Sequence, residues 1–454
     1  MSEVIADLIL KHSKKIGINE TEAFLQKKNI KRVDISQGFI KQISEQEKSG
    51  FAVRSLVNKR MGFVSSSSSA NIEDVVDLSA QNARSSIQKI NDSFNDRKFV
   101  SPVEKIRDDR LRELSLEEMG DRIVEILKSI ETSKPVKKID GSVVVETEER
   151  IIANTSGIWK REVGTRMQAS IETAIQIGDF IGAGSSFLAS RELVSNWQEL
   201  FNSAIKTAYS QQNRERLTLE KLKGIILSPK ALAHILAFSL IPSFYESNEN
   251  QQYETIQAKS FMKGIEMIDD PTYPGAQNTF GFDDEAYPSK PRTVLSNGKC
   301  KRLLGMNFTC SESHPRISSQ GNCYRVTNMS LENRSFLYPP AISASNFIFK
   351  SKKNSVENLV GELVNGIYIK DISGAQDSNF FSGDFTLTST EGYEIKDGEI
   401  LKPILPCFCS GNIFKILEDQ TLLLGNQLQE IPIPATPLSV ITPAILTTRM
   451  TISC

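Results

Sequence analysis

The stretches FGFDDEAYPSKPRTVLSNGKCKRLL, residues 280–304, and SGDFTLTSTEGYEIKDGEILKP, residues 382–403, decide the fold of the C-terminal half. Each is rich in strand-forming residues, reaches a two-residue turn and continues as a second apolar strand. The turns are Asn297-Gly298 and Asp397-Gly398. Asn-Gly and Asp-Gly pairs favour tight hairpin turns because both residues accept positive φ. The two stretches therefore predict two β-hairpins.

Length and composition indicate an ordinary globular protein of more than one domain. The chain has 454 residues, more than one hydrophobic core usually organises. Apolar residues make up 39%, charged residues 24%, and the formal net charge is −1. This balance provides no basic surface for nucleic acid, and no apolar run reaches the length of a membrane span. We therefore expect neither nucleic acid nor a membrane as a partner.

The N-terminus and the cysteines predict a cytoplasmic protein with free thiols. The segment MSEVIADLILKHSKK has apolar residues at helical spacing and two early acids, which is typical of an amphipathic helix and not of a signal peptide. In a cytoplasmic chain of this size, free thiols are expected rather than a disulfide framework. The six cysteines lie in the last third of the chain: Cys300, Cys310, Cys323, Cys407, Cys409 and Cys454.

The order of helical and strand patterns predicts an α+β fold. We expect an N-terminal α+β domain at residues 1–95, a middle α+β domain at 110–215 packing with the first, and a mostly antiparallel β domain at 222–454. In both N-terminal segments, strands lead to glycine and serine and then to a helix. This order indicates α/β-type layers built from a diverged repeat of one strand-strand-helix unit, or two unrelated segments of similar pattern.

Both quoted stretches resemble characteristic blocks of the TldD/PmbA family, also called the modulators of DNA gyrase. The resemblance rests on the acidic run Asp283-Asp284-Glu285, the two hairpin turns, and Ser382-Gly383-Asp384-Phe385. Weaker resemblance occurs at residues 50–65 and 150–158. The family contains a metallopeptidase subunit, TldD, and a partner that lacks the metal site, TldE or PmbA. The residues at the metal site decide which of the two this chain resembles more closely.

The helix that would carry the metal in TldD-like members is recognisable here. Those members have HExxxH on this helix, where two histidines hold zinc and the glutamate acts as general base. Ser228-Pro229 predicts the start of a helix, with serine as cap and proline at the first position. His234 takes the first histidine position, Ile235 the glutamate position and Ser239 the second histidine position. The alternative HExxH spacing would need histidine at Phe238.

These replacements predict a degenerate metal site. Zinc needs about three protein ligands, and this helix offers one histidine without a neighbouring carboxylate. The downstream cysteine of the family is also missing between Gly425-Asn426 and residue 453. We therefore interpret His234 as an ordinary helix histidine. No catalytic, metal-binding or substrate-binding residue is assigned in this chain.

Cysteine and histidine elsewhere offer one further metal hypothesis. Cys407 and Cys409 lie in an apolar strand, where buried free cysteines are common. Adding Cys310, His314 and Cys323 gives no known zinc spacing. The hypothesis that folding brings these residues together into a metal site stays open.

The acidic run Asp283-Asp284-Glu285 also has two interpretations. It could hold a divalent cation or bind a basic peptide. The favoured interpretation is structural, with carboxylates that cap turns or pair with Arg292.

The resemblance implies a non-catalytic TldE/PmbA-like subunit. Such a chain would need no cofactor of its own and would pair with a TldD-like subunit that carries zinc. The complex would degrade or process peptides or unfolded protein in the cytoplasm. We expect a dimer, either homo- or heteromeric. Two alternatives stay open: an active metallopeptidase with a non-standard metal site, and a stand-alone peptide- or protein-binding module.

Overall fold

The computed structural model describes residues 2–87, 89–90, 93–131, 136–218, 222–246, 250–307, 318–326, 334–352, 355–434 and 436–454. Within them the helices are α1 Ser2–Lys15, α2 Ile72–Ser85, α3 Asp109–Glu113, α4 Leu116–Glu131, α5 Trp197–Tyr209, α6 Pro229–Ser239, α7 Asn250–Ala258 and α8 Ile413–Glu418. Short 3₁₀ turns occur at Ile241–Phe244 and Ala375–Asp377.

The N-terminal half contains six strands among its described residues, and the C-terminal half contains the others. The first six are β1 Glu20–Ser36, β2 Phe39–Val57, β3 Arg60–Ser66, β4 Val136–Asn154, β5 Trp159–Ile177 and β6 Phe180–Ser190. The others are β7 Gly224–Leu227, β8 Ile265–Asp269, β9 Arg292–Ser296, β10 Lys299–Cys300, β11 Leu303–Leu304, β12 Ser318–Ser319, β13 Cys323–Tyr324, β14 Ala341–Ile342, β15 Asn346–Ser351, β16 Ser355–Val356, β17 Asn365–Ser373, β18 Asp384–Lys396, β19 Glu399–Pro403, β20 Cys407–Asn412, β21 Leu423–Gly425, β22 Gln429–Ile433, β23 Leu438–Thr442, β24 Ile445–Thr447 and β25 Met450–Ser453.

The six N-terminal strands form one sheet with two similarly arranged halves, while the choice between a diverged repeat and two unrelated segments stays open. The strand order is β3-β2-β1-β4-β5-β6, so two three-stranded meanders join through β1 and β4. Each meander ends in a strand whose glycine lies against the next helix. A Cβ at Gly62 would lie 1.9 Å from the carbonyl oxygen of Ser79 in α2, and one at Gly184 would lie 2.1 Å from that of Ala204 in α5. Both halves thus use the same close strand–helix packing.

The centre of this sheet is buried on both faces. On one face, Ala23 and Val53 pack with α1 and α2. On the other, Phe24 and Ile152 pack with Phe282 from the C-terminal half. Segments 1–95 and 110–215 therefore share one sheet that packs against the C-terminal half. Their division into two domains stays a prediction.

The C-terminal half is built from two larger sheets, and α6 lies between them. One has the order β10-β9-β8-β15-β23-β22, and the other has β16-β21-β24-β7-β17-β18-β20-β25 with β19 beside β18. Helix α6 contacts β22 and β23 of the first sheet and β17 of the second. Most strand pairs are antiparallel, with parallel exceptions such as β7 with β17. The α+β prediction with a mostly antiparallel C-terminal part is confirmed.

Both predicted hairpins are present with the expected turn geometry. Strands β9 and β10 flank Asn297-Gly298, and β18 and β19 flank Asp397-Gly398. All four turn residues have positive φ, between 50° and 77°. Both central residues of a type I′ turn need this conformation, so the residue types explain the turns.

The cysteine prediction is wrong for one pair. Cys407 is disulfide-bonded to Cys454, with Cα atoms 4.4 Å apart. The two cysteines lie next to the paired residues Phe408 of β20 and Ser453 of β25. Cys300, Cys323 and Cys409 are free and buried. The pairing was missed because 47 residues separate the two cysteines and only the strand pairing brings them together. Across the described residues, the helices are too short or too polar to cross a membrane.

Candidate functional site

Helix α6 occupies the place where the family resemblance puts a metal. The Ser228 hydroxyl accepts a hydrogen bond from the backbone N–H of Ala231 at 3.0 Å and donates one to the carbonyl oxygen of Lys370 at 2.7 Å. Pro229 holds the first helical turn, as predicted. The cap therefore fixes the start of α6 to β17. It thereby sets where the three residues at the metal-motif positions lie.

Ile235 and Ser239, at the second and third motif positions, do not fit a zinc ion. Both side chains are fully buried, and α6 itself packs between the two C-terminal sheets. The Ser239 hydroxyl donates to the carbonyl oxygen of Ile235 at 2.6 Å, which satisfies it within the helix. An isoleucine has no ligand atom, and a neutral hydroxyl bound to the backbone is a poor substitute for imidazole.

His234 is the one motif residue that keeps a nitrogen ligand, and a charged pair acts on its pKa. Burial lowers the pKa of His234 below its ordinary value, and nearby Lys230 acts in the same direction, whereas Asp371 opposes the shift. Lys230 Nζ lies 2.5 Å from Asp371 Oδ2. The carboxylate that acts on the pKa of this histidine is thus already paired with a lysine.

The other proposed ligands do not come together in the described residues. No group of three or more His, Cys, Asp or Glu side chains lies there as a metal site would require. Cys407 is held in its disulfide, and burial raises the pKa of Cys409 to about 11. Cys310 and His314 lie outside the described residues. A metal-free chain stays a prediction.

A cleft of about 490 Å³ opens beside this region, between the N-terminal and C-terminal halves. One wall comes from β4, β5, β6 and the end of α5, and the other from β17 and β18. Asp371, the partner of Lys230, lies in the second wall together with Glu391. Glu391 accepts hydrogen bonds from Lys370 Nζ at 2.6 Å and from the Tyr393 hydroxyl at 2.7 Å. Charged but paired side chains therefore connect the cleft to α6.

The acidic turn, defined as Asp283-Asp284-Glu285, forms a second buried polar region. Asp283 accepts hydrogen bonds from the backbone N–H groups of Glu285 at 3.0 Å, Tyr287 at 2.8 Å and Cys323 at 3.1 Å. Burial and the neighbouring Glu285 raise the pKa of Asp283 to about 7. The prediction that a carboxylate caps this turn is confirmed.

Of the two structural roles considered, capping of the turn is observed, and Arg292 has other partners. Arg292 donates instead to the carbonyl oxygens of Gln320 and Lys290. Asp284 pairs with Arg150 of β4 at 2.7 Å, and Glu285 pairs with Arg54 of β2 at 3.0 Å. The acidic turn thus binds the N-terminal sheet rather than its own hairpin.

Sequence reasoning missed the side chains that meet the acidic turn. Arg54 also pairs with Glu22, its cross-strand neighbour on β1. Arg150 pairs with Glu162, its cross-strand neighbour on β5. A signal was available at Arg54, which interrupts the mostly apolar run FAVRSLV at residues 51–57. Such positions are rarely buried unless paired.

Two protein-family models match the chain. The model for the PmbA/TldA metallopeptidase C-terminal domain covers residues 222–454, and the model for domain 1 of the same metallopeptidases covers residues 21–83.

Several known proteins are similar over large parts of the chain. An uncharacterized protein of Methanocaldococcus jannaschii is 25% identical over 62% of this chain and 63% of its own length. A protein of the same organism named a metalloprotease is 23% identical over 85% of each chain. Among solved structures, TldE from Thermococcus kodakarensis superposes with a TM-score of 0.84 at 20% identity, over 99% of this chain and 100% of that chain. A Thermotoga maritima protein named as a DNA gyrase modulator gives 0.82 at 20% identity, over all of both chains. At these identities the solved structures establish the fold alone.

Proposed function

The chain belongs to the PmbA/TldD metallopeptidase family, and we propose that it acts there as the subunit without a metal centre. The observation that carries this proposal is the pair Ile235 and Ser239, fully buried on α6 where the family motif has its glutamate and second histidine. A hydrolytic zinc site needs both further ligands and a base for the metal-bound water. Neither function is available from these two side chains.

The cleft beside α6 supports a role in holding a peptide. It has room for a few residues of extended chain, its walls combine paired charges with apolar side chains, and β6 in one wall is an edge strand of the N-terminal sheet. Main-chain hydrogen bonding along strands suits substrates of varied sequence. In this proposal the chain positions peptide or unfolded protein, and a TldD-like partner supplies the zinc and the catalytic base.

We propose that the partner interface lies in the C-terminal β region. Exposed apolar side chains gather there along β19 and the start of β20: Ile400, Leu401, Leu405 and Phe408. Contiguous exposed apolar surface is typical of protein–protein contact. We expect Phe408→Glu to weaken association with the partner, whereas Phe39→Glu, at a similarly exposed phenylalanine in the N-terminal sheet, should leave it unchanged.

Co-purification from the native cell, followed by peptidase assays, tests the proposal. The isolated chain should be inactive and hold far less than about one zinc per chain, while the complex should cleave peptides. His234→Ala in this chain should preserve the activity of the complex, and replacement of the partner's motif glutamate should abolish it. About one zinc per isolated chain, lost with His234→Ala, would overturn the proposal in favour of an active metallopeptidase.

A second outcome would also contradict it. If the chain binds peptides but no zinc-bearing partner co-purifies, a stand-alone binding module is the better account. A cytoplasmic setting is part of the proposal, and the Cys407–Cys454 disulfide is unusual for a reducing compartment. Thiol labelling of protein taken directly from the cell tests that setting.

A further inference from the structure

Three arginines gather around one aromatic ring behind the acidic turn. The guanidinium carbons of Arg150, Arg191 and Arg334 lie 5.1, 5.0 and 3.6 Å from the ring centroid of Phe280. Each of these side chains is at most 5% exposed. Like charges held this close in the interior need counter-charges with well-placed acceptors. We call these residues the arginine cluster.

Arg150 obtains its counter-charges from the protein. Its guanidinium donates to Asp284 at 2.7 Å and to Glu162. Asp284 also accepts the backbone N–H of Arg325 at 2.7 Å, and Glu162 accepts that of Gly281 at 2.6 Å. Both acids are therefore already engaged by other donors, and of the remaining members of the arginine cluster Arg334 shares Asp284 Oδ2 with the Arg325 N–H.

Arg191 and Arg334 are much less well satisfied. Arg191 reaches only the carbonyl oxygens of Thr165 and Thr279, at 3.4 and 3.2 Å, and its Nε has no partner among the described residues. Arg334 Nε lies 3.2 Å from Asp284 without an aligned hydrogen bond, and its Nη1 and Nη2 have no partner in the described part of the chain. Burial lowers the pKa of Arg191 to about 10 and also lowers that of Arg334. Buried donors without acceptors are costly and rare.

We propose that Arg334 and Arg191 form a buried site for a small monatomic anion, chloride in the cell. The unused N–H donors of both guanidinium groups supply the contacts. The ion adds negative charge to a cluster in which Arg191 and Arg334 share the field of Glu148 with Arg150. Because both side chains are buried, only a small ligand is proposed, and a monatomic anion imposes no directional geometry of its own. Arg191 follows β6 of the N-terminal sheet, whereas Arg334 belongs to the C-terminal half, so the ion would also join the two halves.

Thermal unfolding in matched salts tests this site. Sodium chloride and sodium bromide should raise the melting temperature in a saturable way, on the order of 1–3 °C above sodium gluconate at equal ionic strength, since ligands of the native state stabilise it. The difference should vanish in Arg334→Gln and persist in Arg302→Gln, a matched loss of an exposed arginine. Equal melting in all three salts overturns the proposal, as does a halide effect that survives Arg334→Gln.

A second measurement keeps the proposal testable if Arg334→Gln fails to fold. Crystals of the unaltered protein grown in bromide should show an anomalous peak within hydrogen-bond distance of Arg334 or Arg191. A data set without a peak at this place, or with peaks only at the protein surface, overturns the proposal.

Discussion

Helix α6 and the acidic turn are both buried, yet they hold opposite kinds of side chain. At α6 the motif positions are occupied by isoleucine and by a serine bonded to its own helix. At the acidic turn three adjacent carboxylates persist, each with N–H or guanidinium partners. The difference shows that burial selects against unpaired polar groups rather than against polarity itself.

The two regions also depend on different partners. The acidic turn is completed by arginines of the same chain, so its carboxylates are matched whenever the protein folds. Metal ligands on α6 would be matched only when a metal binds, and a helix without one is more stable with apolar or self-bonded residues. The resemblance to the family is visible at both places, but only the acidic turn retains its polar groups.

The largest effect should follow from breaking an ion pair at the acidic turn. Asp284→Asn preserves the shape of the side chain but leaves Arg150 and Arg334 facing a neutral amide. Removing one partner of a buried pair typically costs about 3–5 kcal/mol, and we expect a loss of that order in the free energy of unfolding measured with denaturant. Asp121→Asn, at an exposed site on α4, is the control and should change it by less than about 0.5 kcal/mol. Equal effects of the two changes would show that the ion pairs of Asp284 do not stabilise the acidic turn.

The hairpin that follows the acidic turn tests backbone packing in the same region. A Cβ at Gly298 would lie 2.2 Å from the carbonyl oxygen of Phe261, whereas one at Gly38, also at positive φ, would meet nothing within 4 Å. We expect Gly298→Val to cost roughly 2–4 kcal/mol and Gly38→Val about 1–2 kcal/mol, because only the first adds a steric clash to backbone strain. Melting temperatures compare them. A Gly298→Val protein that melts like the unaltered chain would refute the assigned hairpin.

Asp283 in the acidic turn and His234 on α6 should make the free energy of unfolding change with pH in opposite directions. The pKa of Asp283 is raised from 3.8 to about 7, so between these pH values the folded state binds a proton that the unfolded state does not. The stabilisation that comes from this proton is lost as pH rises from about 4 through 7. The pKa of His234 is lowered from 6.5, so its contribution is lost as pH falls below 6.5. Denaturation across this range should show a weaker alkaline loss in Asp283→Asn and a weaker acid loss in His234→Gln. Unchanged slopes in both variants would contradict these assignments.

The smallest effect is expected from removing His234 at neutral pH. If it is an ordinary helix residue, His234→Ala should cost about 1 kcal/mol and leave the zinc content at background. Elemental analysis and denaturation of both proteins measure this. A loss of zinc, or a destabilisation as large as that of Asp284→Asn, would show that α6 retains a working polar site.

The sequence by itself determined the features that depend on neighbouring residues. Asn297-Gly298 and Asp397-Gly398 specify their hairpins through φ, and Ser228-Pro229 specifies the start of α6 through one side-chain bond and one fixed dihedral. The motif replacements at Ile235 and Ser239 are readable for the same reason, since position along one helix fixes which residues would meet a metal. Local geometry needs no knowledge of the rest of the chain.

Only the tertiary structure decided which distant groups meet. Glu285 finds Arg54 across 231 residues and Asp284 finds Arg150 across 134, although Arg292 was the nearer candidate in sequence. The Cys407–Cys454 bond likewise depends on the pairing of β20 with β25. A charged residue signals that it needs a partner but not which one, because the choice follows from how the N-terminal sheet packs on the C-terminal half. That packing is fixed by apolar contacts such as Phe24 with Phe282, which are non-directional and sum over the whole interface.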